Sequence, residues 1–340
     1  MPIVGAFDVH RSQLTFDYLD LETGEISRGR VAPADRPHLR EWLSRFEDRD
    51  DVTFALEGCT GWRYVTEELR RAGVDVHLAE PADTAALRGK KGRAKTDRAD
   101  AAHLRTHLQA GDLPESWIPP EHVLEARVLV RLYKDLLDER GAWTQRVHAT
   151  LFHEGVPVPG SLTIAANREK LDVAELSVAS RLAVDAGLRQ IDRLSGEMEP
   201  LRRTFDHLSR HQPGARALRT THYGIGPVTS VAIWAEMGDC RRFANSDDAV
   251  RHTGLDVTVF SSADKRTKGH LARQGPSVLR WALYESAMCA SRASSPDHAY
   301  YLELKERRDG QLAAITIARK LARRCFHTLT ELGEEALSAA

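Results

Sequence analysis

The sequence predicts an α/β domain followed by a long helical arm and a mostly helical C-terminal part. Three observations carry that reading. Short apolar runs alternate with helix-periodic segments up to about residue 120, a regime of steps of three and four then runs to residue 211, and the rest is largely helical. A length of 340 residues is enough for about two domains. The boundaries read from the pattern are 1–120, 121–211 and 212–340.

The elements follow in order. "IVGAFDV" (3–9), "LTFDYLDL" (14–21) and "GEISRGRV" (24–31) read as a three-stranded meander. Leu39, Trp42, Leu43 and Phe46 recur at helical spacing within 34–46. "DVTFALE" (51–57) is strand-like, "GWRYVTEELRRAG" (61–73) is a helix closed by Gly73, and "VDVHLAE" (74–80) is a further strand. In the arm, Leu129, Leu132, Leu136, Trp143, Val147 and Leu151 mark one helix within 124–155. Leu188, Ile191, Leu194, Met198, Leu201 and Phe205 mark another within 182–211, and "VPVPGS" (156–161) breaks the two apart. Such a pair predicts an antiparallel, coiled-coil-like hairpin. Beyond it, 246–255, 276–293 and 309–332 read as helices, and 257–275 as a polar, basic connection.

A hydrophobic share of 42% with 29% charged residues fits a globular protein, and a formal net charge of -1 leaves any nucleic-acid footprint to local patches. The four cysteines, Cys59, Cys240, Cys289 and Cys325, lie far apart, which argues against a zinc ribbon or a disulfide framework. No stretch approaches about 18 uninterrupted apolar residues, and "MPIVGAFDVHRSQ" lacks the pattern of a secretory signal, so no membrane partner and a cytoplasmic location are expected.

Four acids form the first candidate site. Asp8 and Glu57 each end a predicted strand; Asp97 and Asp100 stand three apart on a helix that Thr96 is placed to cap. Strand-end acids converge at a sheet edge, and hard oxygen donors suit Mg²⁺ working on phosphate. Taken singly, each acid reads first as a turn or helix-start residue, and only the set of four points to a metal. Directly before the pair, "RGKKGRAKTDR" supplies Arg88, Lys90, Lys91, Arg93, Lys95 and Arg98, a run suited to a nucleic-acid backbone.

The C-terminal part holds two more features. "YGIGPVTSVAIWAEMG" places Gly224 and Gly226 in a tight turn before Pro227, at the first position of a helix, in a pattern resembling the helix-hairpin-helix DNA-binding motif. "FSSADKRTKGHLARQG" sets Ser261 and Ser262 among Lys265, Arg266, Lys268, His270 and Arg273, where cations can hold a phosphate against a nucleophile.

Together these segments resemble the DEDD transposases of the insertion sequence 110 family, recombinases guided by a bridge RNA. "GAFDVHR", "FALEGCTGW" and "HLAEPADTAALRGKKGRAKTDRADAAHL" carry the resemblance at one end; "GIGPVTSVAIWAEMGD", "FANSDDAVRHTGL" and "SSADKRTKGHLARQGPSVLRWAL" carry it at the other. The resemblance implies an RNase H-like (RuvC-like) domain in which Asp8, Glu57, Asp97 and Asp100 bind Mg²⁺. It also implies a C-terminal domain whose serine forms a covalent phosphoserine with DNA. Family members carry a stretch like SSGG there; this chain has SSAD, and the matching serine is Ser262, with Ser261 in reserve. The implied partners are donor and target DNA, the guide RNA, and further copies of the chain as a homodimer assembling to a tetramer. The alternatives are a resolvase-like endonuclease using metal-activated water and a non-catalytic nucleic-acid-binding relic.

Overall fold

The computed structural model describes residues 3–87, 96–158, 160–256, 260–262, 265–267, 271–272 and 274–339, with backbone alone at 260–262 and 265–267. Two compact units divide the chain, Met1–Ile118 and Pro119–Ala340.

The first unit is built on one mixed sheet. Its elements are β1 (Ile3–Val9), β2 (Leu14–Asp20), β3 (Ile26–Val31), α1 (Arg36–Leu43), β4 (Val52–Glu57), α2 (Trp62–Arg71), β5 (Asp75–Ala79), α3 (Pro81–Leu87), α4 (Asp97–Ala110) and β6 (Glu115–Ser116). The strand order is β3-β2-β1-β4-β5-β6. The meander β1–β2–β3 is antiparallel, β4 and β5 add parallel to β1, and the two-residue β6 closes antiparallel on β5. The predicted strands and helices up to residue 80 are all present within a few residues of their expected ends. The short α3 and β6 were not anticipated, because neither is long enough to establish a period.

Alternation of side chains gives the sheet two different faces. One carries Phe7, Phe16, Phe54 and Leu56, packed against Trp42 and Leu43 of α1 and Val65 and Leu69 of α2. Phe7 stacks on Phe54 at 5.1 Å and meets Trp42 edge-on at 5.1 Å. Gly5 makes room for this layer, since a Cβ there would sit 2.4 Å from the Phe54 ring. The opposite face is lined by small residues, Ala6, Ala55 and Ala79, and Leu104 of α4 packs directly on them.

The second unit is mostly helical: α5 (Glu121–His153), α6 (Ala165–Asp172), α7 (Val178–His211), α8 (Pro213–Thr221), α9 (Pro227–Met237), α10 (Ser246–Thr253), the hairpin β7 (Phe260–Ser262) and β8 (Lys265–Thr267), α11 (Ser277–Met288), α12 (His298–Arg307) and α13 (Gly310–Leu332). Helices α5 and α7 pair along their lengths. Tyr133 meets Arg202, Arg140 meets Ser195 and Val147 meets Gly187, so one number rises as the other falls and the pair is antiparallel.

The junction between these helices differs from expectation. A Pro/Gly break at 156–161 was predicted; the connection instead runs to Ser177 and contains α6. Leu162 and Leu171 bury themselves against Val147, Leu151, Val184 and Ile191, giving the connection a core of its own. Helix α7 also starts earlier than its apolar period, because Ser177 caps it by accepting from Ser180 N at 3.2 Å. The basic connection at 257–275 contains the β7–β8 hairpin, and α10 is capped by Asn245, one residue before its serine. Among the described residues no helix is long and apolar enough to cross a membrane.

Candidate nucleic-acid processing sites

The acids of the first unit are placed by strand register. In the parallel pair β1–β4, Phe7 lies opposite Leu56, so Asp8 and Glu57 are the next residues along adjacent strands. Side-chain alternation puts Asp8 with Ala6, and Glu57 with Ala55, on the face that α4 covers. Cys59 registers both charges: burial pushes its half-buried thiol up, and the Asp8 carboxylate, then Glu57, adds to the effect. The Cys59 thiol donates to Val9 O at 3.7 Å.

Helix α4 begins as its sequence predicts, with the Thr96 hydroxyl accepting from Ala99 N at 3.2 Å. Asp97 and Asp100 both fall in the first turn, where the positive end of the helix dipole favours acids. The positions 97, 100, 101 and 104 share one helix face, and Ala101 and Leu104 are fully buried. Asp100 is accordingly buried, 8% exposed, whereas Asp97 lies at the exposed rim and accepts from Gln13 Nε2 at 3.2 Å. Helix α4 packs on β1, β2 and β4. The structure thus gathers Asp8, Glu57 and Asp100 on one side of the sheet, with Asp97 a turn outward. Among the described residues no group of three such side chains is already drawn together as a metal cage. The donor chemistry is all carboxylate oxygen, which fits a hard divalent ion that takes further oxygens from water and substrate phosphate.

Sequence reasoning missed what fixes α4 to the sheet. Asp17 on β2 lies opposite Ala6 in register and is 1% exposed. It accepts from Arg105 Nε of α4 and, at 2.6 Å, from Arg28 Nε. A charged residue inside the apolar stripe of α4 was the available signal. Arg98 is exposed on the first turn of α4; Arg88, Lys90, Lys91, Arg93 and Lys95 lie outside the described residues.

In the second unit, the hairpin register sets Ser261 opposite Arg266 and Ser262 opposite Lys265. Both candidate nucleophiles therefore have a cationic residue as cross-strand partner. Lys268, His270 and Arg273 lie outside the described residues. The glycine turn joins α8 to α9, with Pro227 at the first turn of α9 as expected. Gly224 has φ +88°, and a Cβ there would meet Ser286 O at 2.4 Å, so glycine is required twice over. Gly226 caps α9, and its N–H is committed to Thr229 Oγ1 at 2.9 Å.

Comparison with known proteins decides the family. The profile of the DEDD transposases of IS110 matches residues 6–153, spanning all four acids. A second profile, described as the transposase IS116/IS110/IS902 family, matches residues 215–302, which include the glycine turn and both serines. The chain belongs to the IS110 family of transposases. A protein of Pseudomonas aeruginosa described as a probable family 20 transposase is 24% identical over 303 residues, covering 84% of this chain and 87% of its own. A Sinorhizobium fredii protein named as a transposase is 26% identical, over 88% of this chain and 80% of its own. The transposase for insertion sequence element IS1328 of Yersinia enterocolitica is 22% identical, over 68% and 69% respectively. Cutting and rejoining DNA is the general activity of such a family, and DEDD acids go with dependence on a divalent metal.

Proposed function

We propose that this transposase is an RNA-guided DNA recombinase that cuts through a phosphoserine on Ser262, assisted by Asp8, Glu57, Asp97 and Asp100. The observation that carries the reading is the gathering of three of these acids on the α4 face of the sheet, with the fourth at its rim. The strand order 3-2-1-4-5, with an antiparallel meander and two parallel additions, agrees with an RNase H-like domain.

In this reading Asp8, Glu57, Asp97 and Asp100 would hold Mg²⁺. When bound, Mg²⁺ supplies charge neutralisation at a phosphate oxygen. Ser262 Oγ attacks phosphorus as its proton leaves; the bond to one bridging oxygen breaks, and that oxygen departs with the electron pair and takes up a proton. The phosphoester energy is kept in the Ser262–phosphate bond, so a second strand's hydroxyl reverses the step and rejoins DNA. Lys265 and Arg266, the cross-strand partners of the two serines, offset phosphate charge together with Lys268 and Arg273. Arg88, Lys90, Lys91, Arg93, Lys95 and Arg98 contact guide RNA and DNA backbones, and base pairing with the guide supplies sequence choice. Gly224 and Gly226 shape the turn that approaches DNA.

The α5–α7 hairpin is the dimerisation element, and two dimers bring donor and target together. Exposed Phe152, Val173, Val178 and Leu182 near its far end support that role. The test is incubation of the protein, with RNA from the flanks of its own gene, with Mg²⁺ and a labelled element junction. A protein–DNA adduct that survives denaturation, is lost in Ser262→Ala and persists in Ser261→Ala is the expected result. Free cut ends with no adduct would instead establish a nuclease using activated water.

A further inference from the structure

The second unit carries a basic cleft to which recombination chemistry assigns no role. Helix α13 is amphipathic: Ala314, Ile317, Ala318, Leu321 and Cys325 are buried on one side. Its other side presents Arg319, Lys320, Arg323, Arg324 and His327, which with Tyr300 of α12 line a cleft of about 480 Å³. Steps of three and four put these cations on a single face, in a row along the helix axis.

The charges there are only partly offset. Asp297 takes Lys320 at 3.0 Å and Arg324 at 2.6 Å, and Asp247 takes Arg323 at 2.7 Å. Two carboxylates against four cations leave the cleft positive. Among the described residues Arg319 Nε is buried and has no hydrogen-bond partner, which leaves it a donor for a ligand to complete. The Lys320 ammonium lies 5.0 Å over the Tyr300 ring, setting an aromatic surface beside the cations.

Helix α13 also touches the start of the glycine turn. His222, which precedes that turn, has Nε2 2.9 Å from Thr328 Oγ1 on α13. Tyr223 bonds Ser294 Oγ at 2.7 Å, tying the same turn to the segment before α12. Burial, and then the charge of Arg324, hold the His222 imidazole below its ordinary range.

We propose that Arg319, Lys320 and Arg323 bind the phosphate backbone of DNA along α13, the helix that His222, at the start of the glycine turn, also touches. This rests on the reading of the protein as a DNA recombinase, and adds a sequence-independent clamp to it. Asp247 and Asp297 hold the cations in position and give them up in part to phosphate, as guanidinium groups bind either anion with the same fork.

The experiment uses the full chain and a short fluorescein-labelled DNA duplex of arbitrary sequence, followed by anisotropy across a salt series. Each lost phosphate contact makes the slope of log Kobs against log salt shallower by about 0.9. The combined Arg319→Gln, Lys320→Gln, Arg323→Gln variant is expected to lose roughly 2 to 3 from that slope. Lys320→Gln alone is expected to lose about 0.9, and it serves if the combined variant does not fold, as judged by circular dichroism. Arg193→Gln, on exposed α7 surface, is expected to leave the slope unchanged. An unaltered slope in a folded variant, or a change seen only with an RNA duplex, overturns the clamp and leaves the recombinase reading standing. Wild-type protein that binds no DNA even at low salt overturns both.

Discussion

Asp17 and Arg105 show how single residues decide where the acids stand. Their ion pair is buried on both sides, with side chains 1% and 9% exposed, and it joins β2 to the helix that carries Asp100. Asp17→Ala leaves a buried guanidinium half-paired, and a loss of about 3–5 kcal/mol in urea unfolding is expected. A loss below about 1 kcal/mol would mean that Arg105 finds water or another partner at no cost. His252 gives a second residue-scale prediction. Burial, then the charge of Arg242, lower its pKa from 6.5 to about 4. The unfolded chain thus takes up a proton at a pH where the folded one does not, so this contribution is full above pH 6.5 and is lost as pH falls toward 4. Glu68, pulled down to about 2 by Arg40 and then Arg36, extends the acid loss from 4.5 downward. Melting temperatures should fall steadily between pH 7 and 4, and His252→Gln should flatten the upper part of that slope. The acids Asp8, Glu57, Asp97 and Asp100 were legible as residues, because strand-end and helix-start positions can be read from local pattern. The Asp17–Arg105 pair was not, because its partners are 88 residues apart and only the packed sheet brings them together.

At the scale of elements, the strands and helices of the first unit were readable because each is amphipathic at one clear period. The α5–α7 connection was not, since its core is made by Leu162 and Leu171, lone apolar residues in a polar stretch. The β7–β8 pair escaped for a related reason: strands of three residues leave no alternation to count. Close packing of α5 and α7 depends on Gly187, where an added Cβ would lie 2.4 Å from Val147 Cγ2. Gly187→Leu should cost about 1–3 kcal/mol by overpacking this junction. If the hairpin also joins two copies, the same variant should shift the dimer to monomer in sedimentation. Unfolding that matches wild type would show that α5 and α7 separate freely at this point. Gly224→Ala should be worse tolerated than Gly226→Ala, because positive φ and the Ser286 carbonyl both oppose it. Thermal melting of the two variants checks the order.

For the whole molecule, the chain keeps its acids and its serines in separate compact units, with both family profiles falling on the parts that contain them. The order of the motifs was readable in the sequence, and so was the helical stretch between them. In the proposed reaction, Ser262 would be brought to a phosphate held by the acids through DNA, guide RNA and further copies of the chain, none of which local periodicity encodes. The proposed reaction is consequently one that no unit performs alone. The most direct test is to map the covalent bond itself: trap the reaction on element-junction DNA with Mg²⁺, digest the DNA and protein, and locate the residual phosphonucleotide by mass spectrometry. The account predicts that it is carried by Ser262, and that Asp100→Asn reduces its yield at least tenfold, about 1.4 kcal/mol of transition-state stabilisation. Cleaved DNA with no phosphonucleotide on any residue of 260–267 would contradict it.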